Sequence, residues 1–264
     1  MAVSIPSDLL ASFPPGRGRE RLDFYLGDDG NRLYTVENLT AVTRDESQLR
    51  LRVGTDGHGR SIGAIRKPDE PGYIDDHRRD DETFITVRNP NTQQWSLPYI
   101  MTKHKFLGIT TFRFEVVIGL IIETFEWRAS EGQEVRVIHP HPRAHGYKLV
   151  RLRKRGPGGG RGGKRDVRQE GETSDGREIV AVWSTVDSRI PEVFWNKKRP
   201  FTFQLCGSAT TGELGDDFSL VALMTALKIY SIKDPFLNIP PPPIPRHREN
   251  VMNLVTLDFI ELQR

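Results

Sequence analysis

The chain has 264 residues, and 38 Lys+Arg against 35 Asp+Glu leave a formal net charge of +3. Hydrophobic residues at 36% and charged residues at 28% match globular usage, and the length suits one large all-β domain with tails. The single cysteine, Cys206, excludes an internal disulfide. No basic-then-apolar leader opens the chain, and the longest apolar run, VVIGLII at 116–122, is far below the ~20 residues of a spanning helix, so a cytoplasmic location is expected, at membranes only peripherally, with the nucleus also open.

Residues 1–20 carry three prolines and two closely spaced glycines and read as a loose arm. Strand signals begin near Leu22 and recur at 33–42, at 49–53 (LRLRV), at 61–66, at 84–88 and at 94–97. Alternation with period two puts one side in a core and the other in water. The middle of the chain is clearest. Phe112, Phe114, Val116 and Ile118 share one face of a run, and Ile121, Glu123, Phe125 and Trp127 share one face of the next, with Gly119 at a turn or bulge between them. Val135 and Val137 precede the loop HPHPRAH. Tyr147, Leu149 and Val150 begin a strand that turns basic at Arg151, and 179–186 and 201–206 complete the series.

That amounts to ten to twelve strands spaced about 8–12 residues apart, the pattern of a barrel or sandwich. One helix is expected, over about 216–232 (DDFSLVALMTALKIYSI), with Asp216 and Asp217 at its capped start. Apolar residues cover its whole circumference, so it must be buried. A ring of about twelve strands is too wide for its own side chains to fill. The predicted fold is therefore mainly β: a closed antiparallel barrel of roughly twelve strands enclosing this helix. The expected organisation is an arm at 1–20, a barrel at 21–233 with a disordered Gly/Arg-rich loop near 155–177, and a Pro-rich tail at 234–264 that suits an aromatic-groove partner.

A closing strand, a short turn and one hydrophobic near-terminal helix, FTFQLCGSATTGELGDDFSLVALMTALKIYSIKD, resemble the tubby C-terminal-like superfamily of tubby proteins, LURP-one-related proteins and phospholipid scramblases. SIGAIRK (61–67), ETFEWRASEGQEVRVI (123–138) and YKLVRLR (147–153) look like its strand–turn–strand units. The resemblance spans about residues 20–233. It implies a twelve-stranded barrel around a central helix and a mostly non-catalytic role, often at membrane phospholipids. The cysteine-rich segment and acidic calcium loop of the scramblases have no counterpart here, which argues against scrambling.

Charge is concentrated between Arg143 and Arg168, where ten Lys or Arg meet one acid, Asp166. Such a field attracts phosphates. Lys148, Arg151, Arg153, Lys154 and Arg155 are the candidate phosphate or lipid ligands, and an anionic phospholipid or an acidic protein surface is the expected partner. The competing reading is a solvated loop insertion. A G-x-G-x-x-G at 158–163 lacks the strand–loop–helix context of a nucleotide site and is read as chance. RGG-like composition offers RNA association as an alternative, although nucleic acid is disfavoured. His139, His141 and His145 form a second alternative, a cupin-like metal enzyme, since H-x-H on a strand turns two imidazoles to one face. Prolines 140 and 142 favour a turn instead. Cys206 has no histidine near it in sequence, and no nucleophile elbow is present. The expectation is a binding module without enzymatic activity and without a cofactor.

Overall fold

The computed structural model describes residues 5–12, 24–28, 31–38, 49–55, 59–66, 81–89, 91–139, 141–152, 171–186 and 198–233. Twelve strands form the frame. These are β1 (Asp8–Ser12), β2 (Phe24–Gly27), β3 (Arg32–Asn38), β4 (Leu49–Val53), β5 (Ser61–Arg66) and β6 (Glu82–Val87), followed by β7 (Tyr99–Phe106), β8 (Ile109–Ile118), β9 (Ile121–Ser130), β10 (Ala144–Arg151), β11 (Ile179–Val186) and β12 (Lys198–Leu205). Each pairs antiparallel with its sequence neighbour, and β1 pairs with both β2 and β12, which closes the barrel. Among the described residues two α-helices join them: α1 (Gln133–Ile138) and α2 (Asp216–Lys233).

The predicted barrel and its helix are what the structure contains. Helix α2 lies among the inward side chains of the strands. Phe218, Val221, Leu223, Met224, Leu227, Ile229 and Tyr230 are all buried in one cluster with Leu26, Leu51, Ile85, Phe125 and Phe203. Residues on every side of the helix are covered, as an all-round apolar helix requires. The Phe218 ring packs on Phe125 at 4.8 Å between centroids. Three turns later Tyr230 meets Phe201 at 5.2 Å and Phe24 at 6.1 Å. At 1.5 Å per residue, those two rings lie about 18 Å apart along the axis, most of the barrel's depth. Gly63 on β5 marks a close approach, because a Cβ there would sit 2.7 Å from Met224 Sδ.

Antiparallel alternation divides the connections between two poles. The near pole, where α2 starts, holds the turns β2–β3, β4–β5, β6–β7, β8–β9 and β10–β11 and the link from β12 through a 3-10 turn at Gly207–Ala209. Asn89, just after β6, donates to Asp217 Oδ1 at 3.1 Å and fastens the helix start there. The far pole holds β7–β8, β9–β10 and the remaining turns.

Four expectations are corrected. Residues 1–20 are not an arm throughout, since Asp8–Ser12 is β1, with Leu9 and Ala11 facing the core. Five residues between prolines are too short a run for its period to stand out. Residues 94–97 are not a strand: Trp95 makes a single bridge to Arg88, and the neighbouring strand is β7 instead. In 123–138 the second half is helix α1, which lays Val135 against Ile179 and Val182 on the outside of the barrel. Within 155–177, residues 171–177 form a turn closed by a Glu172–Glu178 bridge and by Thr173 Oγ1 donating to the Arg177 carbonyl at 3.1 Å. The rest of that loop and the tail at 234–264 lie outside the described residues.

One polar link ties sheet to helix in the core. Trp127 Nε1 donates to Thr225 Oγ1 at 2.9 Å, and that hydroxyl donates on to the Ala222 carbonyl at 2.8 Å. Thr225→Val keeps the shape but leaves the indole N–H without an acceptor. A loss of about 1–3 kcal/mol is expected in urea unfolding, and an unchanged midpoint would show the link to be idle.

Candidate anion-binding surface

Strand β10 carries two of the expected ligands, and neither is presented to solvent. Tyr147, Leu149 and Arg151 pair with Ala129, Trp127 and Phe125 of β9, so Arg151 continues the inward row. It lies at the near pole, capped by the 3-10 turn and the segment after it. Its side chain is 7% exposed. Arg151 Nε donates to Glu123 Oε2 at 2.5 Å and a terminal nitrogen donates to Glu123 Oε1 at 2.8 Å. The other terminal nitrogen reaches Glu213 at 2.8 Å, Ser208 Oγ at 3.2 Å and Glu178 at 3.4 Å. The Glu123 hydrogen bonds and those to Glu213 hold the guanidinium still further above its usual basicity, against the cost of burial. Three carboxylates around one cation leave no positive field for an incoming phosphate.

Lys148 points outward and is also engaged. Its ammonium donates to Glu134 Oε1 of α1 at 2.8 Å, with both side chains largely covered. Burial alone would raise the Glu134 carboxyl. The Lys148 ammonium, a backbone N–H and the Ser130 hydroxyl instead hold it down to about 2. Lys148 thus pins α1 to the barrel wall. Beside it Glu126, whose burial is outweighed by Arg128 and Arg113, sits below the usual carboxylate range, and Arg128 continues to Asp175 at 3.1 Å. Arg153, Lys154 and Arg155 lie outside the described residues.

The three histidines do not share one strand face. His139 follows the last residue of α1, and His141 N–H closes a tight turn onto the His139 carbonyl at 2.7 Å. Their rings are 6.5 Å apart and edge-on, and His141 Nδ1 accepts the Arg143 N–H at 3.1 Å. His145 is on β10 opposite Thr185. Among the described residues no group of three His, Cys, Asp or Glu could hold a metal ion. The Cys206 thiol is pushed up to about 11, by burial first and by Asp8 second, which keeps it protonated at neutral pH.

Sequence reasoning missed the acids that neutralise Arg151. Two signals were legible. Arg151 has the parity of Tyr147 and Leu149, and Glu123 has the parity of Phe125 and Trp127, so both belong to the core-facing rows. Glu178, Ser208 and Glu213 come from turns, where no period reports their direction.

The chain matches no protein-family model, no curated protein and no solved structure. No helix among the described residues is long and apolar enough to cross a membrane.

Two measurements test these roles. Arg151→Met strands Glu123 and is expected to cost about 3–5 kcal/mol, with Arg151→Met/Glu123→Leu recovering most of it; additive losses in the double variant would refute the pairing. The depressed Glu134 carboxyl contributes stability that is full above about pH 4.5 and fades as pH falls toward 2. Glu134→Gln is expected to flatten the acid limb of melting temperature against pH by the equivalent of about 2 kcal/mol. Parallel wild-type and variant curves would contradict that role.

Proposed function

We infer that this chain is a non-catalytic binding module of tubby-like type, whose near pole docks on an anionic phospholipid surface. The observation that carries the reading is a juxtaposition at that pole. The β8–β9 hairpin exposes Val117, Leu120, Ile121 and Ile122 to solvent, with Leu120 fully exposed. Two residues along β9, the Thr124 carbonyl accepts the Leu152 N–H at 2.9 Å. Leu152 is the last described residue before the stretch 153–170, RKRGPGGGRGGKRDVRQE, which holds seven Lys or Arg and two acids. Apolar side chains beside a cationic segment are the two elements of interfacial membrane binding, apolar burial and attraction to lipid phosphates.

The rest of the fold supports this. Helix α2 occupies the lumen, so a ligand meets this barrel from outside. Lys148 and Arg151 are spent on internal ion pairs. Recognition therefore falls to the barrel's end and to Arg153, Lys154 and Arg155 rather than to the strand that leads to them.

Co-sedimentation with phosphatidylcholine vesicles containing phosphatidylinositol 4,5-bisphosphate tests the reading. Wild type is expected to bind these and to spare pure phosphatidylcholine. Arg153→Glu/Lys154→Glu/Arg155→Glu is expected to weaken binding at least tenfold, at on the order of 1 kcal/mol for each cation lost. Equal binding by wild type and variant would overturn the assignment.

A further inference from the structure

The far pole carries a feature that the near-pole reading does not use. Strand β6 begins at Glu82, opposite Thr102 of β7, and a single further backbone bond joins the Lys103 N–H to the Asp81 carbonyl at 2.9 Å. On the other side, β8 meets β9 only from Thr111 onward. Among the described residues, His104 to Thr110 therefore pair only across their own hairpin, in the register His104–Thr111, Lys105–Thr110 and Phe106–Ile109. The hairpin stands out from the barrel rim as a finger of about four residues, roughly 13 Å at the rise of a β-strand.

Its apex is apolar. Phe106, Leu107 and Ile109 are 74%, 85% and 63% exposed. The two-residue turn is Leu107–Gly108, with φ of 47° and 81°. Both residues are left-handed, as in a type I′ turn, a conformation that selects Asn-Gly or Asp-Gly. Gly108 takes this freely. Leu107 is a bulky residue in a strained conformation, and its side chain packs on almost nothing that would offset the strain. Folding alone gains nothing from a leucine there. Behind the apex stand Lys103 and Lys105, both exposed and in no ion pair among the described residues, and the stretch 103–112 (KHKFLGITTF) contains no acid.

We propose that the β7–β8 finger is a second membrane anchor: Phe106, Leu107 and Ile109 enter the interfacial layer of an anionic bilayer while Lys103 and Lys105 meet its phosphates. The shape selects a bilayer. The apex is convex and projecting, and cations follow apolar groups with depth, the order in which a bilayer presents phosphates above hydrocarbon. Insertion also accounts for Leu107, since strained and exposed groups persist where they serve binding. The finger and the β8–β9 hairpin lie at opposite ends of β8, so one flat bilayer cannot receive both. A chain anchored at both poles joins two membranes. The insertion stands on the finger's own residues, and only the joining rests on the near-pole reading.

Four readouts test this: melting temperature, vesicle binding, dye emission and vesicle clustering. Leu107→Asn is expected to raise the melting temperature by about 2 °C, by relieving the turn, and to weaken binding to vesicles containing phosphatidylserine at least threefold. Phe106→Ser/Leu107→Asn/Ile109→Ser is expected to weaken it at least tenfold in a chain already lacking 153–168. A polarity-sensitive dye on Leu107→Cys/Cys206→Ser is expected to shift to the blue on vesicle addition, and wild type is expected to cluster vesicles, which either single-pole variant binds without clustering. A dye that stays in water on vesicle-bound protein overturns the finger and leaves the near pole standing. Binding that the loss of 153–168 leaves undiminished and that vanishes with the finger triple supports the finger and overturns the near pole. Retention on polyglutamate with no vesicle binding assigns the finger to an acidic protein surface and overturns the proposal.

Discussion

A closed ring of twelve strands encloses more space than its inward side chains can fill, and everything else in this fold answers that constraint. The filler is α2, an α-helix whose backbone polar groups are satisfied internally and whose surface is apolar on all sides. Aromatic rings grip it at both ends, Phe125 on Phe218 and Phe201 on Tyr230. A hydrogen bond from the Trp127 indole to the Thr225 hydroxyl fastens it to the sheet inside the core. With the lumen occupied, the interior serves stability, and the proposed recognition falls to the exterior.

Charge follows the same partition. The cations nearest the core are neutralised at home: Arg151 by Glu123 with Glu213 and Glu178 behind it, and Lys148 by Glu134. Removing a buried charge's partner is far more damaging than losing an exposed pair, so these groups are bound to the fold and unavailable to a ligand. The exposed apolar groups that project are the β8–β9 hairpin at one pole and the Phe106–Leu107 finger at the other, and these are the surfaces proposed for partners.

The barrel and its helix were legible because both rest on period. Alternation in 112–118 and 121–127 and an unbroken apolar surface in 216–232 each have one solution, and together they specify a strand ring around a helix. The losses occurred where period is silent. Asp8–Ser12 is too short and too close to prolines to announce itself. Gln133–Ile138 spans little more than one turn and reads equally well as a strand. Charge density located the basic segment but carried no direction, so Arg151 was read as presented when its parity with Tyr147 and Leu149 turns it inward. The finger was missed because Lys103 to Phe106 has no apolar alternation, and its meaning lies in a positive φ at Leu107 that a sequence does not display.

The claim beneath all of this is that α2 is enclosed by the chain's own sheet. Hydrogen–deuterium exchange resolved along the chain measures it directly. Amides of 220–230 are expected to exchange only through global unfolding, with the same free energy as the central strands β9 and β11. Exchange of that helix ahead of the sheet, at rates typical of a surface helix, would contradict the filled barrel.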